Sequence, residues 1–168
     1  MALFEPVFDA LGAAGVRYVV VGGVAVALHG HARLTADLDI AVDLTPEAAS
    51  VAMSALEDLG LRPRVPVDPA GFADPTVRAR WIDEWGMKVF SMWDPENPLL
   101  SVGVFVENPI DFEELWERSE TVELGDSRPR VASIADLIRL KHLSARPQDL
   151  LADIQALEAI DAARERQR

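Results

Sequence analysis

The chain has 168 residues, no cysteine and a formal net charge of −12. This length fits one domain with a sizeable core, and a hydrophobic fraction of 49% excludes a disordered chain. The lack of cysteine excludes disulfides and thiolate chemistry, and the acidic balance disfavours non-specific nucleic-acid binding, because phosphate contacts need Lys and Arg.

The N-terminal residues predict a cytoplasmic location. The stretch "MALFEPVFDALG" has no basic region and carries Glu5 and Asp9, which is not the pattern of a signal peptide. No apolar run approaches the roughly 20 residues that a membrane span needs. We therefore expect a soluble protein without a membrane partner.

Helical and strand patterns alternate along the whole chain. Apolar residues at helical spacing predict helices over 2–14, 24–30, 45–60, 74–83, 111–118 and 133–142, and a last helix from Pro147. Apolar or alternating runs bounded by turn residues predict strands over 16–23, 36–44, 86–93 and 99–106, a strand and loop over 61–75, and a hairpin over 120–132.

Several of these helices have recognisable first residues. Thr45 is the predicted N-cap of one helix, and Asp74 precedes the proline that opens another. Ser133, with Asp136 three residues later, predicts a capping box. The segment from residue 163 to the C-terminus is predicted to be frayed. The interleaved elements indicate a mixed α/β or α+β class, in a single domain over 1–168.

Asp37 and Asp39 form the strongest functional signal. They are separated by one residue in an alternating strand, so their side chains share one face. Asp is depleted in strands and rarely buried unless it is paired or bound to a metal. Two carboxylates on one face suit Mg²⁺ or Mn²⁺, which also takes phosphate oxygens.

Gly22 and Gly23 supply a second part of the pattern. They end the strand "VRYVVV" and precede a short helical pattern. Glycine lets a phosphate approach the backbone. A Gly-Gly pair alone is most often only a turn, but its spacing from Asp37, with Arg33 and Thr35 just before the aspartates, makes the combination more specific.

These residues resemble a known signature. "VGG" at 21–23, thirteen residues, then "DLDI" at 37–40 is similar to the motif of the DNA polymerase β-like nucleotidyltransferase superfamily. The longer stretch "GGVAVALHGHARLTADLDI" resembles its abortive-infection (Abi) toxin branch from bacterial toxin–antitoxin systems, and "LIRLKHLSARPQDLLADIQAL" at 137–157 resembles the C-terminal helices of that branch.

The resemblance implies a nucleotidyltransferase fold, with a mixed sheet flanked by helices. It divides the domain into an α/β core over 1–132 and C-terminal helices over 133–163. It implies that the two glycines hold a nucleoside triphosphate and that the two aspartates hold the metal. Supporting roles fall to Arg33, Thr35 and Arg146 on the nucleotide, to Lys141 as an active-site lysine, and to Asp149.

A third carboxylate of this superfamily is not evident. The matching position in the strand "SVGVFV" is near Gly103, which has no ligand. Either Glu107 substitutes as a metal ligand or the metal site is incomplete. Asp43 would share the face of Asp39 but lies near the end of its strand.

Two functions remain open at this point. The first is Mg²⁺-dependent transfer of a nucleoside monophosphate to the hydroxyl of a tRNA, a protein or a small molecule, as in a toxin–antitoxin component. The alternative is a degenerate fold that only binds nucleotide or a protein such as a cognate antitoxin.

Histidine and tryptophan residues give weaker signals. His29 fits a solvated turn better than a ligand site, since it lies beside Gly30. Trp81, Trp85 and Trp93 could stack on a base, but packing is the better interpretation of each.

Overall fold

The computed structural model describes residues 3–31, 35, 37–143 and 147–166, with the backbone alone at 147–150. The helices are α1 (Glu5–Ala13), α2 (Gly22–Leu28), α3 (Pro46–Asp58), α4 (Pro75–Trp85), α5 (Phe112–Arg118), α6 (Ile134–Leu143) and α7 (Pro147–Glu165), and a 3₁₀ helix spans Pro69–Ala73. The strands are β1 (Tyr18–Val21), β2 (Leu38–Val42), β3 (Arg62–Pro63), β4 (Val89–Trp93), β5 (Ser101–Phe105), β6 (Glu120–Thr121) and β7 (Arg130–Val131).

All of these strands join one mixed sheet. Their order is β3-β4-β5-β2-β1-β7-β6. The pairs β1–β2 and β4–β5 are antiparallel, whereas β2–β5 and β1–β7 are parallel. The predicted class, a mixed sheet flanked by helices, is confirmed.

The sheet is covered unevenly. Every residue of β1 is buried. In β4, by contrast, Phe90 and Met92 are buried while Val89, Ser91 and Trp93 are half-buried. Because successive side chains of a strand point to opposite faces, one face of the sheet is left partly open at β4.

Aromatic packing covers the other face of β4. The Phe90 ring stacks on Trp81 of α4 at 5.3 Å between centroids and lies 5.6 Å from Phe72 of the 3₁₀ helix. Trp81 is 2% exposed, and it stacks on Trp85 at 6.5 Å. Packing is therefore the correct interpretation of Trp81.

The three predicted helix starts are correct in position, and two of them carry the expected side-chain hydrogen bond. Asp74 accepts from the backbone N–H two residues on at 2.8 Å. The Ser133 Oγ accepts from the backbone N–H of Asp136 at 3.1 Å and donates to its carboxylate at 3.0 Å. Thr45 is the N-cap residue of α3 but makes no side-chain cap hydrogen bond, and its own backbone N–H donates to Asp43 Oδ1 at 3.0 Å.

The C-terminal helices pack back onto the core. α6 contacts α2 and α7. The His29 side chain is buried, with Nε2 at 2.8 Å from the carbonyl of Ala132 and Nδ1 at 3.2 Å from Arg164. A carbonyl only accepts, so Nε2 donates to it and Nδ1 accepts from the guanidinium. The solvated-turn interpretation of His29 is therefore wrong. The fraying predicted from residue 163 is wrong as far as Glu165, because α7 continues to that residue and Arg164 pairs with Glu120 at 3.2 Å. Residues 167 and 168 lie outside the described residues.

Within the described part of the chain, no helix combines the length and the apolar character that crossing a bilayer requires.

Candidate functional site

The turn between β1 and α2 requires glycine at its first position. Val21, the last residue of β1, is extended, and Gly22 follows with a φ of +65°. Residues other than glycine rarely adopt this left-handed backbone conformation. α2 begins directly at Gly22, so both glycines of the sequence motif lie in its first turn.

The Asp39 side chain packs against this turn. Asp39 is paired with Val21 of β1 on one side and with Gly103 of β5 on the other. A Cβ atom on Gly22 would lie closer to Asp39 Oδ2 than van der Waals contact permits, and one on Gly103 would lie 2.7 Å from Asp39 Oδ1. The structure thus brings Asp39 to the Gly22 turn, as the sequence spacing predicts.

Asp37 lies at the same edge of the sheet. It directly precedes β2 and is exposed, and its backbone carbonyl accepts a hydrogen bond from Thr35 Oγ1 at 3.3 Å. One residue, Leu38, separates it from Asp39, so the alternation of an extended chain gives both carboxylates the same face. Arg33 lies outside the described residues.

Glu107 lies at the opposite end of the sheet. Because β2 and β5 are parallel with Asp39 beside Gly103, Glu107 is four residues further along, or about 13 Å at the rise of a strand. The next residue, Asn108, donates to the carbonyl of Val42, the last residue of β2, at 2.9 Å. The interpretation of Glu107 as the third metal ligand is therefore corrected: its position separates it from Asp39.

The described residues contain two acids at this edge rather than three. Nowhere in the ranges that the structure describes do three or more His, Asp or Glu side chains cluster as a metal site would require. A divalent cation here would take two protein carboxylates, from Asp37 and Asp39, and complete its oxygen ligands with phosphate and water. Mg²⁺ is commonly bound in this way.

The predicted C-terminal site residues are only partly described. Lys141 on α6 forms an ion pair with Asp153 on α7, with Nζ 2.5 Å from Oδ2. Its helix packs on α2, the helix that begins at Gly22. Arg146 and the side chain of Asp149 lie outside the described residues.

The half-open sheet face carries groups that the sequence analysis did not place at the site. Ser91 pairs with Gly103, which pairs with Asp39, so all three lie on one face. Trp93 is on the same face, and the guanidinium of Arg64 lies 5.4 Å from its ring centroid. The alternation of β4 was visible in the sequence, but its register against β5 was not.

The mixed sheet flanked by helices matches the nucleotidyltransferase fold of several solved structures. No protein-family model matches the sequence, and no curated protein matches it. Solved structures do. The chain is similar to the lincosamide antibiotic adenylyltransferase LnuA, in its lincomycin-bound crystal structure, with a TM-score of 0.63 and 16% identity over 95% of this chain and 96% of LnuA.

Two further solved structures share the fold. The antibiotic-resistance factor ANT(2″)-Ia gives a TM-score of 0.59 at 13% identity, over 99% of this chain and 91% of its own. An antigenic nucleotidyltransferase-like protein from Paracoccidioides brasiliensis gives 0.56 at 14% identity, over 91% and 71%. The predicted nucleotidyltransferase fold is confirmed. None of these three is described as an abortive-infection toxin, so that finer resemblance stays a prediction.

Proposed function

We propose that this protein transfers a nucleoside monophosphate from a nucleoside triphosphate to a hydroxyl group of a small-molecule acceptor. The observation that carries the proposal is the contact of Asp39 with the Gly22 turn, next to Asp37 at the same sheet edge. This contact puts metal-binding oxygens beside a bare backbone that a triphosphate could approach. The shared fold of two antibiotic-modifying proteins supports the reaction class.

Asp37 and Asp39 would hold a divalent cation, Mg²⁺ or Mn²⁺. Such an ion, when bound, polarises phosphoryl oxygens and offsets the charge that develops on them. Asp39 is half-buried and packed, so its carboxylate needs little reorganisation. Asp37 is exposed and can follow the nucleotide.

The Gly22–Gly23 segment would receive the triphosphate. The missing side chains allow phosphate oxygens to reach backbone N–H groups. Several negative charges then meet at one place, so a cation from the protein is expected to assist. We assign this role to Arg33 before β2 and to Lys141 and Arg146 of the C-terminal segment. Thr35 would add a hydroxyl that can donate a hydrogen bond to a phosphate oxygen.

The acceptor would approach over the half-open face of the sheet. In-line displacement requires the nucleophile and the leaving pyrophosphate to lie on opposite sides of the α-phosphorus. The Gly22 turn follows β1 on one side of β2, while Gly103 and Ser91 lie on the other side. The acceptor oxygen bonds to the α-phosphorus, the bond to pyrophosphate breaks, and the hydroxyl proton leaves to solvent or a base.

The similar proteins favour a small acceptor. LnuA is a lincosamide adenylyltransferase, and ANT(2″)-Ia has been solved with adenylyl-2″-tobramycin. The net charge of −12 disfavours tRNA. We therefore consider a small hydroxylated compound a better candidate for the acceptor than a tRNA or a protein.

A second candidate function is binding without efficient transfer. Gly103 stands beside Asp39 where the superfamily resemblance implies a third acid. Losing a general base typically costs about 10²–10⁴-fold in rate. A chain with this site could bind Mg²⁺–nucleotide and act through a protein partner such as an antitoxin.

Calorimetry and mass spectrometry separate these functions. The purified chain is titrated with ATP, GTP, CTP and UTP, with and without Mg²⁺, and then incubated with lincomycin, tobramycin or tRNA. We expect Mg²⁺-dependent binding of at least one nucleotide, and an acceptor heavier by one nucleoside monophosphate with pyrophosphate released. Binding without any such adduct favours the second function.

Variants give the matched comparison. Asp39→Asn is expected to remove the Mg²⁺ dependence of nucleotide binding, and Asp43→Ala, four residues along the same strand face, to preserve it. Nucleotide binding that ignores Mg²⁺ in the wild type would contradict both functions.

A further inference from the structure

Gly103 is not required by its own backbone. It is absent from the glycines with positive φ, which are Gly15, Gly22, Gly30, Gly60, Gly86 and Gly125 among the described residues. It lies inside β5 between Val102 and Val104, where a glycine interior to a strand weakens it. The need for glycine at this position must come from what surrounds it.

Two side chains occupy the space of the missing Cβ. A Cβ on Gly103 would lie 2.7 Å from Asp39 Oδ1 and 2.7 Å from Val89 Cγ1. Both separations are far below van der Waals contact, so a side chain at position 103 would displace its neighbours. The space beside Gly103 is therefore occupied by the Asp39 and Val89 side chains, and it holds no cavity where a third metal ligand could have been.

The Asp39 carboxylate is enclosed by glycine on two sides. Oδ1 faces Gly103, and Oδ2 faces Gly22 across the opposite strand pair. A side chain at either position would push the carboxylate toward the other strand or out of the sheet. Because neither glycine has a Cβ atom, the two carboxylate oxygens can occupy the space beside them.

We infer that Gly103 is a positioning residue that sets the direction of the Asp39 carboxylate toward the metal and triphosphate. The inference rests on the proposed function, in which Asp39 holds the cation. It replaces the interpretation of Gly103 as a vacated third ligand. An acid introduced there displaces Asp39 and does not complete a three-carboxylate site.

The first measurement is Mn²⁺ binding to the full chain in the presence of ATP, followed by electron paramagnetic resonance. Gly103→Ala is expected to weaken Mn²⁺ about 10-fold or more, because loss of a supporting contact costs 10–100-fold in metal affinity. ATP binding without metal should stay unchanged. Gly103→Asp should weaken Mn²⁺ as well, and a gain in affinity would overturn the inference.

Gly12→Ala is the matched control. A Cβ there meets no heavy atom within 4 Å, so neither Mn²⁺ affinity nor thermal stability should fall. A loss of Mn²⁺ affinity in Gly12→Ala equal to that in Gly103→Ala would show that any glycine replacement disturbs the site, and would overturn the inference.

Double variants separate positioning from plain packing. Gly103→Ala should lower the melting temperature less in an Asp39→Ala background than in the wild type, because the clash with the carboxylate is gone. Val89→Ala should restore part of the melting temperature of Gly103→Ala but not its Mn²⁺ affinity. Full recovery of Mn²⁺ affinity in that double variant would assign the effect to Val89 and overturn the inference.

The two proposals fail differently. If the wild type binds neither Mn²⁺ nor ATP, the proposed function fails, while the melting temperatures still report whether Asp39 and Gly103 are coupled. If the wild type binds both and Gly103→Ala binds them equally well, the positioning role fails and the proposed function stands.

Discussion

Two acids of this protein are held in contrasting ways, at the start of β2 and at the start of α6. Asp39 packs against the bare backbone of Gly22 and Gly103. Asp136 instead accepts from Arg118 through both carboxylate oxygens, at 2.8 and 2.9 Å, and from Ser133 at 3.0 Å. Asp136 is held by a two-pronged ion pair from another helix and serves stability, whereas Asp39 lies between two glycines at the end of the sheet where the candidate site lies.

The largest effect on metal binding is expected from removing the carboxylate that directly precedes β2. Asp37→Ala is expected to lower Mn²⁺ affinity in the presence of ATP by about 100-fold or more, since even a supporting residue costs 10–100-fold. The unfolding free energy should hardly change, because Asp37 is exposed. Electron paramagnetic resonance and urea unfolding measure the two quantities, and a large loss of stability would mean that Asp37 is structural.

The second test removes the charge of Asp136. Asp136→Asn should cost about 1–3 kcal/mol of unfolding free energy at pH 7, because buried hydrogen-bonding groups lose their partner. Mn²⁺ affinity in the presence of ATP should stay within twofold of the wild type. Glu114→Gln, which removes an exposed partner of Arg118, is the control and should cost less than about 0.5 kcal/mol.

The same pair predicts a pH dependence. Burial opposes ionisation of Asp136, but hydrogen bonds from Arg118 and Ser133 outweigh it and lower its pKa below the usual 3.8. A lowered pKa in the folded state stabilises the protein above the unfolded-state pKa, and this stabilisation is lost as the pH falls through the folded-state pKa. The stability difference between wild type and Asp136→Asn should therefore be constant near neutrality and shrink below about pH 4. A difference that grows on acidification would contradict the assignment.

Local spacing predicted the core of the candidate site. The strand before Gly22 and the strand of Asp39 follow one another in the chain, with α2 between them, and pair antiparallel as neighbours, which brings the turn and the acid together. Gly103 was located because β5 has the pattern of a buried strand. In each case the pattern of one strand and of the element next to it was sufficient to locate the residue.

The rest depended on register and on distant partners. Alternation alone does not give the register of β5 against β2, so the sequence leaves open whether Glu107 substitutes as a ligand or the metal site is incomplete. The register places Gly103 beside Asp39 and Glu107 beyond the other end of β5. The burial of His29 depends on Ala132 and Arg164, which are remote in sequence. The pairing of Lys141 with Asp153 likewise joins two helices whose packing no local pattern encodes.

A smaller effect is expected at the far end of β2. Asp43 accepts the Thr45 N–H at 3.0 Å and lies 3.5 Å from Arg17. Asp43→Ala should cost about 1 kcal/mol in urea unfolding, comparable to loss of a helix cap, and leave Mn²⁺ affinity unchanged. This variant tests whether position along the strand decides metal binding, because Asp43 lies on the same strand face as Asp39 but at the other end of β2. A tenfold loss of Mn²⁺ affinity would extend the metal site along the whole strand.

The smallest effect is expected at Glu107. The side chain is exposed in the turn after β5, and the chain there is fixed by Asn108, which donates to the carbonyl of Val42. Glu107→Ala should therefore change neither Mn²⁺ affinity nor nucleotide transfer, and the unfolding free energy should stay within about 0.5 kcal/mol of the wild type, as for most surface substitutions. Transfer assays with ATP and urea unfolding measure these quantities. A drop in transfer with normal stability would mean that Glu107 reaches the start of β2 when substrates bind, across roughly 13 Å of strand. The assignment of the site to Asp37 and Asp39 alone would then be wrong.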